Sequence, residues 1–491
     1  MAGIATNSRR GWSNFLTCRQ MLNIMVIIGF MFNYMLRVNI TIAVVDMIKS
    51  NSTIAANSTN LTTTAVPVRS DQFNWTSSQK NDLLGSFFWG YILTELPGGR
   101  MAEIVGAKRI FGGGMLMASI LTVLTPAASY WSFYVSVTVR ALIGFFLGAT
   151  WPAIPPMAAK WIPPLERSKF MANMMASALG AALTLPVCGY LITVSGWESV
   201  FYVTGAVGIV WSVLWFVLVF DSPAQHPRIT PEERFELETK IAEMESSKTT
   251  KPDRVPWRAL LTSMPVWAII ITHGCSVFGY FTVVNQLPTY MHNVLKFDIK
   301  QNGVLSSLPY FGKYAMAVIA SFVADRLRQS GRLSTTATRK IFTAFACSLP
   351  ALMMLIQSIC GNTAALSVTV FTCALFFNGA VTAGYLSNPL DIAPNFSGTI
   401  FGMANTLSSI SGWVSTKIVA LITASDSTFA TWRYVFAILV GTYAFGAVFY
   451  LIFGTGKLQK FNSVPCNVVQ EKEMQPLRTQ VEIEKEKEAM A

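Results

Sequence analysis

The sequence predicts an all-α membrane protein with twelve transmembrane helices in two six-helix pseudo-repeats. Three observations predict it. Of 491 residues, 52% are hydrophobic and only 13% charged, with a mean hydropathy of +0.45, whereas an ordinary soluble protein is about 25% charged. Apolar runs of the ~20 residues needed to cross a bilayer recur twelve times. The longest polar break inside the chain, residues 221–264, leaves six runs on either side.

The runs fall at 21–47, 82–101, 110–127, 131–155, 170–193, 199–220, 265–291, 303–324, 340–358, 366–387, 398–422 and 433–454. The first has no small-residue cleavage site and is too long for a signal peptide, so it is expected in the mature chain. Arg9, Arg10 and Arg19 precede it without an acid, which places the N-terminal segment 1–20 in the cytoplasm. The N-terminal bundle is then 21–220 and the C-terminal bundle 265–454. An even number of spans returns the tail, 455–491, to the cytoplasm.

The connections agree with this orientation. Loop 48–80, predicted external, holds four N-x-[ST] sequons at Asn51, Asn57, Asn60 and Asn74, which read as glycosylation acceptors. The cytoplasmic linker 221–264 carries seven Lys/Arg and contains "TPEERFELETKIAEMESSK", a short charged helix. Residues 325–340, "DRLRQSGRLSTTATRK", add five basic residues on the same face. Asn39 and Asn395 are formal sequons as well, but one lies within a span and the other inside.

A net charge of +12 follows from basic cytoplasmic loops rather than from a nucleic-acid surface, so no nucleic acid is expected among the partners. The cysteines show no CxxC and no metal-ligand spacing. Cys188, Cys275, Cys347 and Cys373 fall inside apolar runs and read as small packing residues. No cofactor is expected. No nucleophile–base pair or metal cluster is evident, which argues against an enzyme.

Charge inside the membrane is costly, about 2.5–3.5 kcal/mol at a helix centre, and marks function. Arg37 lies ten residues before the external end of its run, Arg140 nine residues into its own, and Lys313 ten into its own. At ~1.5 Å per residue all three sit about 14–15 Å deep, near midplane. Three cations at one depth, drawn from both halves, suggest a shared site for carboxylate or phosphate. Lys417, nearer its end, can snorkel. Glu95 and His273 are candidates for ion coupling, although Glu95 can equally pair with Arg100 or Lys108 and His273 can be a packed, hydrogen-bonded histidine. Asp46, at the external end of span 1, is expected to be solvated. Asn33, Tyr34, Tyr280, Asn285, Asn378, Tyr385 and Asn405 are the polar residues available to complete a lining.

The halves repeat one pattern: "GGRMAEIVGAKR" after the second span and "SFVADRLRQSGR" after the eighth, each an acid followed by bases. Two halves around a midplane site is the plan of alternating-access transport. "GSFFWGYILTELPGG" (85–99), "WIPPLERSKF" (161–170), "NGVLSSLPYFG" (302–312) and "NPLDIAP" (388–394) resemble the signatures of solute-carrier family seventeen. That family holds sodium–phosphate cotransporters, sialin and vesicular glutamate transporters within the major facilitator superfamily. The resemblance covers roughly 20–455 and is greatest to the invertebrate inorganic phosphate cotransporters, from "FNYMLRVNITIAVVDM". It implies a twelve-helix rocker-switch fold, anionic substrates, and substrate roles for Arg37 and Arg140. It also implies a cytoplasmic gate motif at Gly99, Glu103, Gly106, Lys108 and Arg109, with Ile104 where Arg is usual, echoed by Asp325 and Arg326. The chain departs from sialin-like members at Ile143 and Leu147, where they carry acids. It departs from vesicular glutamate transporters at Ser276 (an arginine there) and Leu84 (a histidine), and Pro389 replaces the histidine common before "LDIAP".

Taken together, the expectation is a monomeric secondary transporter of small anions, with inorganic phosphate the leading substrate and Na+ symport or membrane potential the drive. Proton- or potential-driven transport of an organic anion (glutamate, urate or a sialic-acid-like acid) is the alternative. An anion channel, whose pore also uses basic rings, is the reading from another class; a channel needs no paired gate motif. The absence of a sorting signal favours the plasma membrane.

Overall fold

The computed structural model describes residues 16–48, 73–244, 255–293, 308–361, 363–423 and 428–462. Among the described residues there are twelve long helices. In the first half they are α1 (Cys18–Met47), α2 (Ser77–Val105), α3 (Ala107–Trp131), α4 (Phe133–Trp161), α5 (Pro164–Ser195) and α6 (Trp197–Leu218). In the second they are α7 (Met264–Asn293), α8 (Leu308–Gln329), α9 (Thr335–Cys360), α10 (Ala365–Ile392), α11 (Ser397–Ile422) and α12 (Phe429–Phe453). Sequons Asn51, Asn57 and Asn60 lie outside the described residues, and Asn74 is exposed just before α2.

The helices overrun the apolar runs because their ends are stabilised by local chemistry. Thr17 with Gln20, and Thr76 with Gln79, form reciprocal capping boxes that start α1 and α2. Ser334 caps α9 through the Ala337 N–H. The α2–α3 junction turns on a single residue, Gly106, at φ 110°, where a side chain would strike the Asp221 carboxylate. Asp221 in turn accepts the Lys108 N–H at 2.8 Å, tying the start of α3 to the end of α6. Three helices depart from regular geometry: α4 is interrupted at Ala149, α5 passes through 3-10 turns over Pro164–Glu166 and Asn173–Met175, and α10 through 3-10 turns over Gly379–Thr382 and Tyr385–Ser387.

The predicted charged helix in the linker is observed as Pro231–Met244, braced by Arg234–Glu238 and Lys240–Glu236 pairs one turn apart. Its Glu233 carboxylate accepts the Cys18 and Arg19 N–H groups at 3.2 and 3.1 Å, capping α1 from outside. His226 stands beside this contact, 3.6 Å from Cys18 Sγ and edge-on to Trp161 and Phe220.

Among the described residues, nine helices are long and apolar enough to cross a membrane by composition alone. The other three, α2, α8 and α11, are amphipathic in a different sense: they carry Glu95, Lys313 and the Asn405/Ser408/Ser409 face inward. Apolar side chains on the outer helices are exposed instead, such as Val210, Val213 and Val217 on α6 and Val448 and Ile452 on α12, as lipid contact requires.

Candidate functional site

A cavity of about 90 Å³ lies between the two halves, room for several waters at roughly 10–15 Å³ each. Eight helices line it: α1, α2, α4 and α5 from one half, α7, α8, α10 and α11 from the other. The one-sided faces follow helical spacing. On α7, His273, Ser276 and Tyr280 recur at intervals of three and four; on α2, Tyr91 and Glu95; on α1, Tyr34 and Arg37.

Arg37 reaches this cavity, and its guanidinium carbon lies 5.1–5.4 Å from the centres of five rings: Tyr34, Phe87, Phe88, Tyr91 and Phe281. It makes no ion pair among the described residues. Lys313, buried in α8, places Nζ 3.5 Å from the Tyr280 ring centre. These cation–ring contacts offset part of the desolvation of each charge while leaving its hydrogen-bond donors for another group.

Arg140 requires a correction. It shares the midplane depth of Arg37 but does not line the cavity. It is 4% exposed and donates to the backbone carbonyls of Leu36, at 3.2 Å, and Arg37. The helical face of α4 that carries it turns toward α1, so it holds the backbone beneath Arg37 rather than presenting a charge to solute. Asn33 likewise bonds Thr150 at 2.9 Å, and Asn39 bonds Thr204 at 3.1 Å, each within the first half. The Asn285 side chain lies outside the described residues. Lys417 is exposed and rests over the Trp413 ring.

Pairing of Glu95 with Arg100 or Lys108 is also corrected. Glu95 is 1% exposed, lines the cavity, and accepts the Ser409 hydroxyl of α11 at 3.0 Å, across the two halves. Arg100 instead pairs with Glu103 at 3.0 Å, one turn on. His273 lines the cavity with both ring nitrogens engaged, Nδ1 to Tyr385 Oη at 3.3 Å and Nε2 to Asn405 Oδ1 at 2.9 Å. Asn378 donates to Ser276 at 2.9 Å.

Below the cavity, on the side of the 221–264 linker, the halves are locked. Glu103, at the end of α2, accepts the Thr399 N–H at 2.7 Å and its hydroxyl at 2.9 Å, capping the start of α11. Asp325, at the end of α8, accepts the Lys169 N–H at 2.9 Å near the start of α5. Each half therefore sends a carboxylate from its second helix to the N-terminal end of the other half's fifth helix, where the helix dipole favours negative charge. Gly99 and Gly398 bring the α2 and α11 backbones together: a Cβ on Gly99 would lie 2.1 Å from the Gly398 oxygen.

The remaining gate residues fall differently from expectation. Lys108 and Gly106 stay within the first half, and Arg109 and Arg326 are exposed. The basic partners in the second half are Arg328 and Arg339, which meet Asp391, Arg339 at 2.6 Å. Arg339 also donates to Ser168 of α5 at 2.7 Å, and Arg167 to the Leu390 carbonyl at 2.8 Å. Position 326 is adjacent in sequence to Asp325, but it is Arg339, held with Arg328 on Asp391, that reaches the other half.

The profile of the Major Facilitator Superfamily matches residues 26–416. Human sialin is 36% identical over 454 residues, covering 91% of both chains. Human vesicular glutamate transporter 2 is 36% identical over 449 residues, covering 90% of this chain and 75% of its own. The chain belongs to the Major Facilitator Superfamily, in solute-carrier family seventeen. It is a multi-pass secondary transporter of that family's type, and its relatives are transporters rather than enzymes. Two solved superfamily members share its fold: the proton:xylose symporter XylE at a TM-score of 0.66 and 15% identity (91% of this chain, 98% of that one), and FucP in the outward conformation at 0.59 and 13% (88% and 99%). A plasma-membrane location finds no support among relatives that include vesicular ones.

The cavity wall holds further residues that sequence reasoning did not single out: Tyr91, Trp151, Ser177, Phe281, Ser408 and Ser409. Three-four spacing from the polar residues already named could have found some of them: Tyr91 is one turn from Glu95, and Ser408 and Ser409 are one turn from Asn405.

Proposed function

We propose that this protein carries a small organic anion by alternating access, with Arg37 gripping the carboxylate from within the central cavity. The observation that carries this reading is the position of Arg37: a guanidinium lining the cavity, ringed by five aromatic side chains and without an ion-pair partner among the described residues. Fork-shaped donors suit a carboxylate. The aromatic walls of Tyr34, Tyr91, Trp151, Tyr280 and Phe281 suit a carbon skeleton better than a fully hydrated ion, since apolar lining with few convergent polar groups is the usual form of an organic ligand site. Relatives named for glutamate transport and the sialin name agree in kind.

Inorganic phosphate is the second reading, favoured by one observation: Lys313 brings a second cation to the same cavity from the opposite half. The lock between halves on the linker side, with its twin carboxylate caps, supports a carrier over a channel, because it is a contact that must break for solute to leave on that side.

The test is uptake of radiolabelled glutamate, N-acetylneuraminate and phosphate into proteoliposomes, with unlabelled anion inside to reveal trans-stimulation. An organic anion is expected to be carried and trans-stimulated. Arg37→Ala should lower uptake about 100-fold or more, since losing a charge-assisted pair costs roughly 3 kcal/mol. Phosphate uptake alone would favour the second reading, and unchanged uptake in Arg37→Ala would remove this arginine from the site.

A further inference from the structure

Glu95 is the one carboxylate lining the central cavity among the described residues. It is 1% exposed. Oε1 is held by Ser409 from the other half at 3.0 Å, while Oε2 is buried with no hydrogen-bond partner. Its facing charge is Arg37 of α1. The other titratable groups on the cavity wall are Tyr34 of α1, Tyr91 of its own helix, His273 and Tyr280 of α7, Lys313 of α8 and Tyr385 of α10. From α4, α5 and α11 the wall presents Trp151, Met175, Ser177 and the Asn/Ser face, which carry no titratable charge. The histidine is engaged at both nitrogens, by Tyr385 and Asn405, whereas the carboxyl keeps one oxygen open.

We infer that Glu95 is the proton carrier of this transporter, taking a proton on Oε2 as the anion's charge takes over Arg37. The inference rests on the anion reading above and names its coupling ion. With the cavity empty, the Glu95 carboxylate faces the Arg37 guanidinium. When an anion binds Arg37, two negative groups compete for one cation in a space closed to most water, and the cheapest relief is a proton from the open side, forming an O–H bond on Oε2. Anion and proton then favour each other's binding reciprocally. After the halves rock, loss of the anion returns the guanidinium to Glu95, and the proton leaves to water on the second side.

Loading adds one negative charge and one proton, so a monoanion leaves the cavity's net charge unchanged whatever the state of Lys313. The step is electroneutral and one proton accompanies one monoanion. The Ser409 bond adds a structural consequence: the carboxyl that changes charge is also a contact between α2 and α11, alongside the close approach of Gly402 to the Glu95 carbonyl. Proton loading therefore acts at the surface along which the halves separate.

The test uses the full chain in proteoliposomes, potential clamped, with the three radiolabelled anions of the uptake panel. One proton per monoanion predicts about tenfold accumulation for an inward acid gradient of one pH unit. A Na+ gradient at equal pH should drive none. Glu95→Gln keeps an oxygen for Ser409 and should lose gradient-driven accumulation, with whatever exchange remains at equal pH on both sides no longer varying with that pH; Glu95→Asp should keep accumulation. Gradient-driven accumulation by Glu95→Gln, or accumulation driven by Na+ alone, would overturn the inference. If no panel anion is carried, the substrate reading fails but this one is still judged, by infrared difference spectra of the purified protein between pH 8 and pH 5. A carboxylic-acid C=O band that vanishes in Glu95→Gln is expected, and a wild-type spectrum without it would sink the assignment.

Discussion

Arg37 and Arg140 have the same chemistry, the same depth and adjacent helices, yet opposite situations. Arg37 is half-exposed in the cavity, and Arg140 is buried against α1 carbonyls with Nε unpartnered. A buried guanidinium bonded only to neutral carbonyls adds little net stability, and a well-packed apolar replacement is often neutral or stabilising. Arg140→Met is therefore expected to leave the thermal midpoint in detergent unchanged or raised. Uptake should fall only about tenfold, because the backbone under Arg37 loses its cross-helix donors (~1.4 kcal/mol, within the usual range for hydrogen bonds to charged groups), against the 100-fold expected for Arg37→Ala. A fall as deep as that of Arg37→Ala would put Arg140 in direct contact with solute. Depth was legible in the sequence because residue count converts to distance along a helix; direction was not, because the two arginines differ by the rotation of α4 against α1, which no local pattern records.

At the scale of elements, helices were legible and their ends less so. Runs chosen by hydropathy stop where polar residues begin, while the helices continue through Thr17 and Thr76 caps and, on α4, through Pro155 and Pro156 to Trp161. The linker helix Pro231–Met244 was readable from its charge pattern, but its docking under α1 was not, since Glu233 and Cys18 are 215 residues apart. That docking carries a pH dependence through His226. Burial beside Trp161 and Phe220 disfavours its charged form and lowers its pKa from the ordinary 6.5. The sign follows: the folded state resists a proton that the undocked chain accepts, so the contribution is fully present above about pH 6.5 and is lost as pH falls through the lowered value. Hydrogen exchange over 231–244 should accelerate below pH 6.5 in the wild type and become pH-independent, after correction for intrinsic rates, in His226→Phe, which keeps the ring but cannot charge. Equal acceleration in both would exclude His226.

For the whole molecule, the internal repeat seen in the sequence takes physical form in the twin caps, Glu103 on α11 and Asp325 on α5. The acid-then-base strings at the ends of spans two and eight contain these two carboxylates, while Arg326 beside Asp325 is exposed, because such a string gives neighbours along the chain and not across the interface. Removing a cap costs about 0.5–2 kcal/mol, here charged to the state closed on the linker side. Glu103→Gln and Asp325→Asn should each shift the population away from that state by roughly twofold to thirtyfold. Together the shifts should multiply, since distant, unshared contacts add in free energy. Accessibility of a cysteine placed at Ser168 to a reagent supplied from the linker side would read the shift, and an unchanged rate in the double variant would show that the caps do not bias the gate.

The polarity of α2, α8 and α11 reaches back to how the chain enters the bilayer. The nine strongly apolar helices, taken alone, are an odd number and would leave the two ends of the protein on opposite faces of the membrane. Only when the three weaker ones also cross do both ends share a face. None of the three is an easy passenger by itself, for each carries the groups that the finished carrier needs wet. Their insertion must lean on companions, such as α4 for α2 and α7 for α11, whose backbones and side chains they pack against most closely. The residues that make a passage through the protein thus also make its own assembly a cooperative event.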